Sequence, residues 1–275
     1  MRATFWLLDA PDSLTVQSHR MPDGTGLGTY DLFDRPVVHR SALPAYEDRE
    51  FVRKARHVTS RTFIAHVRFA SGSPVSLENT HPFEQHGRLF AHNGVLRGLE
   101  ELEAELGPDM SLVHGQTDSE RLFALITHEI ERAGGDVERG IVAATHWAAE
   151  HIPVYALNFV LTTDDGVWAL RYPDTHELFV LERAAGGHHL RRQFEGASLS
   201  GHLRVRSFDL LEHRAVVVAS EPLDDNPAWR LLEPGELVHV GSELETSFLT
   251  ALPGPPAHLL THADLHPSEA SSQSA

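Results

Sequence analysis

Residues 79–94 read NTHPFEQHGRLFAHNG. The stretch holds two Asn, three His and a closing Asn-Gly pair, set between an apolar run and a clear helical pattern. A buried connector needs none of that polarity, so this is the first place to look for a site. Upstream, residues 62–69 (TFIAHVRF) alternate: Phe63, Ala65, Val67 and Phe69 form one apolar face, and Ile64, His66 and Arg68 share the other. That predicts a strand, with a second, shorter one over residues 88–92. Downstream, Val95, Leu96, Leu99, Leu102 and Leu106 recur at helical spacing until Gly107-Pro108 stops them.

The rest of the chain extends this pattern. Residues 2–8 read as a strand, the glycine-rich run 22–28 (PDGTGLG) as a flexible loop into a strand at 29–33, and residues 47–58 as a helix. Thr117 followed three residues later by Glu120 predicts a capping box ahead of an apolar helix, and Gly134-Gly135 ends it. A third helix is expected over 137–151. Strands are expected at 155–162, 167–172, 177–181, 203–208, 215–219 and 236–240. Helices in the middle with hairpin strands on both sides indicate an α+β fold of antiparallel sheets with helices packed outside; βαβ units are not evident. The domain is expected to span residues 1–250, with a Pro- and Ser-rich disordered tail over 251–275.

Composition narrows the function classes. The chain has 275 residues, 41% hydrophobic, and a formal net charge of −16, which argues against nucleic acid or an anionic membrane as partner. No apolar run approaches the ~20 residues of a membrane span. The N-terminus has one basic residue and an apolar run broken by Asp9 and Pro11, a poor signal peptide, so a cytoplasmic location is expected. Cysteine is absent, which excludes disulfides, thiolate metal sites and a thiol nucleophile within these residues.

Several residues are candidates for chemistry, each with a plainer reading beside it. Arg68 on a half-buried strand wants an anion, either a structural Asp or Glu or a bound carboxylate. Asn93-Gly94 is a common turn pair, but between strand and helix its amide and N–H can also project together as oxyanion donors. Asp118 either favours a helix dipole or binds an ammonium group. The run 23–28 lacks the spacing of a phosphate loop, and nucleotide binding is rejected. His262 and His266 around Asp264, and His188-His189, lie in polar segments without an HExxH pattern, so neither metal nor cofactor is expected.

Taken in order, HVRFAS (66–71), ENTHPF (78–83), FAHNG (90–94) and GQTDSE (115–120) resemble the glutaminase domain of class II glutamine amidotransferases. They are most similar to its stand-alone branch, which includes the ergothioneine-pathway γ-glutamyl hydrolases. PDGTGLG and residues 219–237 (ASEPLDDNPAWRLLEPGEL) fit the same branch. The resemblance implies an N-terminal-nucleophile hydrolase fold, an αββα four-layer sandwich. It also implies that Arg68 binds the α-carboxylate of glutamine or a γ-glutamyl compound, and Asp118 the α-ammonium. Asn93 and Gly94 would form the oxyanion hole, Phe69 and Ser71 would line the substrate's seat, and Asn79, His81 and Pro82 would support it. Ammonia would pass to a partner protein, or the reaction would be plain hydrolysis.

One feature of the family is missing. Its nucleophile is a cysteine directly after the initiator Met, whereas this sequence begins Met-Arg. We expect the sequence to start inside the native protein, short of an opening strand and turn of about a dozen residues. The chain as given would then be inactive. The alternative is a catalytically inactive pseudo-glutaminase that binds a ligand or regulates a partner.

Overall fold

The computed structural model describes residues 2–70, 73–185, 195–197, 204–206 and 213–273. A π-helical turn, Phe5–Asp9, and helix α1 (Leu14–Gln17) open the chain. Then come β1 (Thr25–Tyr30), β2 (Pro36–Ser41), α2 (Arg49–His57), β3 (Phe63–Val67), β4 (Phe83–Gln85) and β5 (Arg88–Asn93). Three helices follow: α3 (Leu99–Leu106), α4 (Asp118–Arg132) and α5 (Val137–His151). The second half is mostly strands: β6 (Asn158–Thr162), β7 (Val167–Leu170), β8 (Phe179–Arg183), β9 (Glu195–Ala197), β10 (Arg204–Arg206), β11 (Ala215–Ala219), β12 (Arg230–Leu231), β13 (Glu236–Val240) and β14 (Thr246–Thr250). Helix α6 (Pro267–Gln273) comes last.

The main sheet has the order β14-β13-β7-β6-β5-β4, and two three-stranded sheets, β2-β1-β3 and β11-β8-β12, lie over it. Every pairing within these sheets is antiparallel. Side-chain alternation decides which layer each face meets. Phe90, Phe159, Leu161 and Leu170 point to the core formed with α4 and α5. Leu89, Ala91, Val160, Ala169 and Val238, one residue out of phase, pack against the smaller sheets. The outer faces of those sheets are covered by α2 and by the N-terminal turn, through Ala3 and Leu7 on one sheet and Phe5 and Trp6 on the other. The result is the expected helix–sheet–sheet–helix sandwich. Each large side chain buried in it contributes about 1.5–3 kcal/mol.

Local readings were less faithful at the start of the chain. Residues 2–8 are not a strand. Ala3 and Leu7 share one buried face at helical spacing, and Leu7 N donates to Ala3 O at 3.0 Å and Ala10 N to Phe5 O at 2.6 Å. The segment 22–28 is not a flexible loop either. β1 is buried along its whole length, because a Cβ on Gly26 would overlap the His81 carbonyl and one on Gly28 would meet Leu89 and Ile64. The strand expected at 29–33 ends early, leaving Leu32 and Phe33 on an exposed hairpin tip.

The capping box at α4 is half formed. Thr117 Oγ1 accepts from Glu120 N at 3.1 Å, but the Glu120 carboxylate accepts from Gly115 N at 2.6 Å instead. The strand expected at 203–208 is described only as β10. The segment from residue 251, expected as a tail, carries a few packed residues. Leu252 and Leu265 are buried, and Val154 pairs with Leu259. The composition of the segment concealed these apolar anchors.

Candidate active site

Helix α4 sets the frame, because its first residue, Asp118, follows directly on the Thr117 cap. The loop ahead of it is tied down twice, by the Glu120 bond to Gly115 and by Asn79 Oδ1, which accepts from Gln116 N at 2.8 Å. The same Asn79 donates from Nδ2 to Pro74 O at 3.1 Å. Asn79 therefore links the loop before α4 to the loop that holds Arg68. Gly115 is required there, since a Cβ would crowd Asn79 and the Glu78 carbonyl.

Arg68 is buried at 4% exposure, yet among the described residues it forms no salt bridge. Its Nη1 donates to Pro74 O at 3.1 Å and its Nη2 to Ser73 Oγ at 2.7 Å and Ser73 O at 3.2 Å. A guanidinium has five N–H groups, so these bonds leave at least two for a ligand. Burial pulls its pKa below the usual value, and the nearby Asp23 opposes that shift. Among the described residues, a structural ion pair, the plainer reading of this residue, is not what holds it.

The Asn93-Gly94 turn leaves β5 toward α3. Gly94 cannot be replaced without movement, because a Cβ would overlap Ala156 O. Asp118 grips the turn from below: its Oδ2 accepts from Leu96 N at 2.8 Å, and its Oδ1 from Ser119 N at 2.8 Å. Its helix-terminal position and its contact with the turn are thus satisfied together. His92 sits under the same turn, with Nε2 donating to Ala156 O at 3.1 Å and Nδ1 accepting from Ser119 Oγ at 2.9 Å. Asn158, paired with Asn93 across the ladder, holds the opposite wall by donating to His176 O and Glu177 O and accepting from Tyr172 N.

These groups converge on one cavity of about 760 Å³, lined by Arg68, Phe69, His81, Asn93, Gly94 and Asp118 among others. Neither Asn79 nor Pro82 lines it; Pro82 follows His81 through a cis peptide bond. Ser71 lies outside the described residues. The His66 and His81 rings lie 4.3 Å apart, tilted by 39°, against the cavity, and neither His81 nitrogen has a hydrogen-bond partner among the described residues. Burial drives both below the ordinary histidine value, His66 to about 4, with Arg68 adding to the shift in each.

The profile of the class-II glutamine amidotransferases matches residues 14–252. The chain belongs to that family. A γ-glutamyl-hercynylcysteine sulfoxide hydrolase of Mycobacterium tuberculosis is 30% identical, with 90% of each chain covered. An uncharacterized protein of Methanocaldococcus jannaschii is also 30% identical over 82% of this chain, which spans 63% of that protein's length. Among solved structures, the glutamine aminotransferase class-II domain protein of Silicibacter pomeroyi superimposes with a TM-score of 0.57 at 23% identity, covering 84% of this chain and 92% of that one. At that identity the superposition speaks for the fold alone.

Within this amidotransferase fold, His92 and Ser119 are among the cavity residues that the sequence did not single out, and Asn158 stands beside them as a support of the 176–177 wall. His92 lay inside the quoted FAHNG, and its only signal was its place beside Asn93. Of the histidines weighed as metal ligands, His266 lines the cavity and His188-His189 lie outside the described residues. Glu105, His128 and Glu129 cluster on the α3–α4 surface within reach of a shared ion, but His128 is held by Asp109 at 2.5 Å and Glu129 by Arg132 at 2.8 Å. Among the described residues, no helix is long and apolar enough to cross a membrane.

Proposed function

We propose that this chain is the substrate-binding body of an amidohydrolase acting on the γ-amide of glutamine or of another γ-glutamyl compound. The observation that carries the reading is a single cavity offering a cation, an anion and a pair of neutral donors: Arg68, Asp118, and Asn93 with Gly94. Free glutamine is a zwitterion with an uncharged amide at its far end. Arg68 takes its α-carboxylate through the N–H groups left over from the 73–74 loop, and Asp118 takes its α-ammonium. The Asn93 amide and the Gly94 N–H receive the charge that develops on the γ-carbonyl oxygen. Phe69 lines the seat, and Asn79, His81 and Pro82 shape its back.

The nucleophile in this reading is a thiol that these 275 residues do not contain. It attacks the γ-carbonyl carbon, the C–N bond breaks with the amine leaving protonated, and water then hydrolyses the glutamyl thioester. The architecture offers a place for it. Among the described residues β3 is the edge of one small sheet and β11 the edge of the other, and both line an apolar cavity of about 590 Å³. Unpaired edges are templates for a further strand. This cavity shares His66, His92 and Asn93 with the first, so a strand laid there would reach the Asn93-Gly94 turn. In this reading the reaction needs no cofactor, takes place in the cytoplasm, and delivers ammonia to solvent or to a partner protein.

A second reading, a binding or regulatory module without turnover, is favoured by the intact anchors together with the zero cysteine count. Calorimetry with L-glutamine tests what the two share. Binding is expected, and Arg68→Met and Asp118→Asn should each weaken it at least about tenfold, the size of a lost charge-assisted bond. A chain extended at its N-terminus by a strand headed Met-Cys-Arg separates them. Ammonia release by that chain, and none by the 275-residue one, supports the enzyme. Binding without turnover on glutamine and γ-glutamyl amides leaves the module, and no binding at all sinks both.

A further inference from the structure

The segment that follows the family match at residue 252 is built into the same cavity. Residues 95–97, 153–155 and 258–260 run as a short ladder: Arg97 N donates to Pro153 O, Tyr155 N to Val95 O, Val154 N to His258 O and Leu260 N to Val154 O. Leu265, 8% exposed, packs with Leu260 and Ala270 against Val95, Tyr155 and Ala156. Ala156 is the residue whose carbonyl fixes both His92 and Gly94. On top of this apolar contact, Arg97 Nη2 meets Glu269 Oε2 at 2.7 Å, with the Glu269 side chain only 14% exposed. The Glu269 carboxylate also accepts from His266 N at 2.7 Å, which fixes the start of α6. His266 and Glu269 both line the cavity that holds Arg68 and Asp118.

We propose that the C-terminal segment, residues 257–273, is a wall of the ligand site that selects for an unsubstituted α-ammonium group. The proposal rests on the substrate reading above. Its geometry comes from one short turn: Asp118 bonds Leu96 N, and α6 is clamped to the next residue, Arg97. The wall therefore stands at the ammonium end of the cavity. A cavity of this volume is in the range that holds drug-sized ligands, ~300–1,000 Å³, so bulk on the amine is excluded only where a side chain stands in its way. His266 and Glu269 are the side chains so placed.

The test compares L-glutamine with N-α-benzyl-L-glutamine, whose secondary amine stays protonated but carries added bulk and one N–H fewer, a loss that is the same for every chain compared. Calorimetry is run on the full chain, on a chain ending at Gly254, and on His266→Ala/Glu269→Ala, which keeps the Leu265 anchor should the shorter chain not fold. The full chain should prefer L-glutamine at least about tenfold, and in the variants that preference should fall to about threefold or less. An unchanged preference in a folded variant overturns the proposal while leaving the glutamine site in place. Failure of the full chain to bind L-glutamine overturns the site reading and this proposal with it.

Discussion

Asn93→Ala, in a form of the chain that carries the thiol, is expected to lower kcat by about 10²–10³ with little change in melting temperature. Asn93 is exposed and its side chain has no hydrogen-bond partner among the described residues, so its removal disturbs no packing. The loss falls on the transition state alone, where one oxyanion donor is typically worth ~3–4 kcal/mol. Gly94→Ala is the companion. Its Cβ would overlap Ala156 O, and the overlap can be relieved only by moving backbone, which costs typically ~1–3 kcal/mol of stability. It should therefore lower both kcat and the melting temperature, while L-glutamine still binds through Arg68 and Asp118. Unchanged kcat in Asn93→Ala would remove that residue from the oxyanion hole, whatever Gly94→Ala does.

How far these residues could be read from sequence depended on how local their signals are. Helix α4 was legible because Thr117 caps it within three residues, and β6 and β7 because their short apolar runs flank the turn Asp164-Asp165-Gly166. β1 was not, since its glycines answer to the His81 carbonyl, Leu89 and Ile64, which are distant in sequence. The N-terminal turn failed for another reason: Phe5, Trp6 and Leu7 are buried on opposite sides of one segment, so no alternation could appear. In the C-terminal segment, composition drew the eye away from Leu260 and Leu265, which pack against Val95, Tyr155 and Ala156. For the site, the four motifs led to Arg68, Asn93, Gly94 and Asp118, which share one cavity. The groups beneath them, His92 with Ser119 and Asn158 with the 176–177 turn, could be found only once the strands were paired.

The histidines under that cavity should make the fold sensitive to mild acid. His81 is buried among His66, His92, Arg68 and Arg40, and burial first, then those neighbours, hold it well below the ordinary value. Burial likewise lowers His66, to about 4, with Arg68 and then His92 adding to it. His92 is lowered by burial against the pull of Asp118 and of its bond to Ala156 O, with His176 opposing protonation too. In the unfolded chain all three titrate near 6.5. Above that value neither state is protonated and nothing is lost. Below it the unfolded chain takes up protons that the folded one refuses, so stability falls as pH drops from 6.5 toward 4. Each histidine that stays neutral contributes a loss of about 1.4 kcal/mol per pH unit. His66, held to about 4, alone removes about 2 kcal/mol by pH 5, and His81 and His92 act in the same direction. Urea titrations at pH 7.5, 6 and 5 should show this slope, and His81→Phe, which leaves a ring beside Phe83 without a titrating group, should reduce it. Stability that stays flat from pH 7.5 to 5 would mean that these rings find water or partners on protonation, and that the back of the cavity is not the sealed apolar wall on which the orientation of His92 depends.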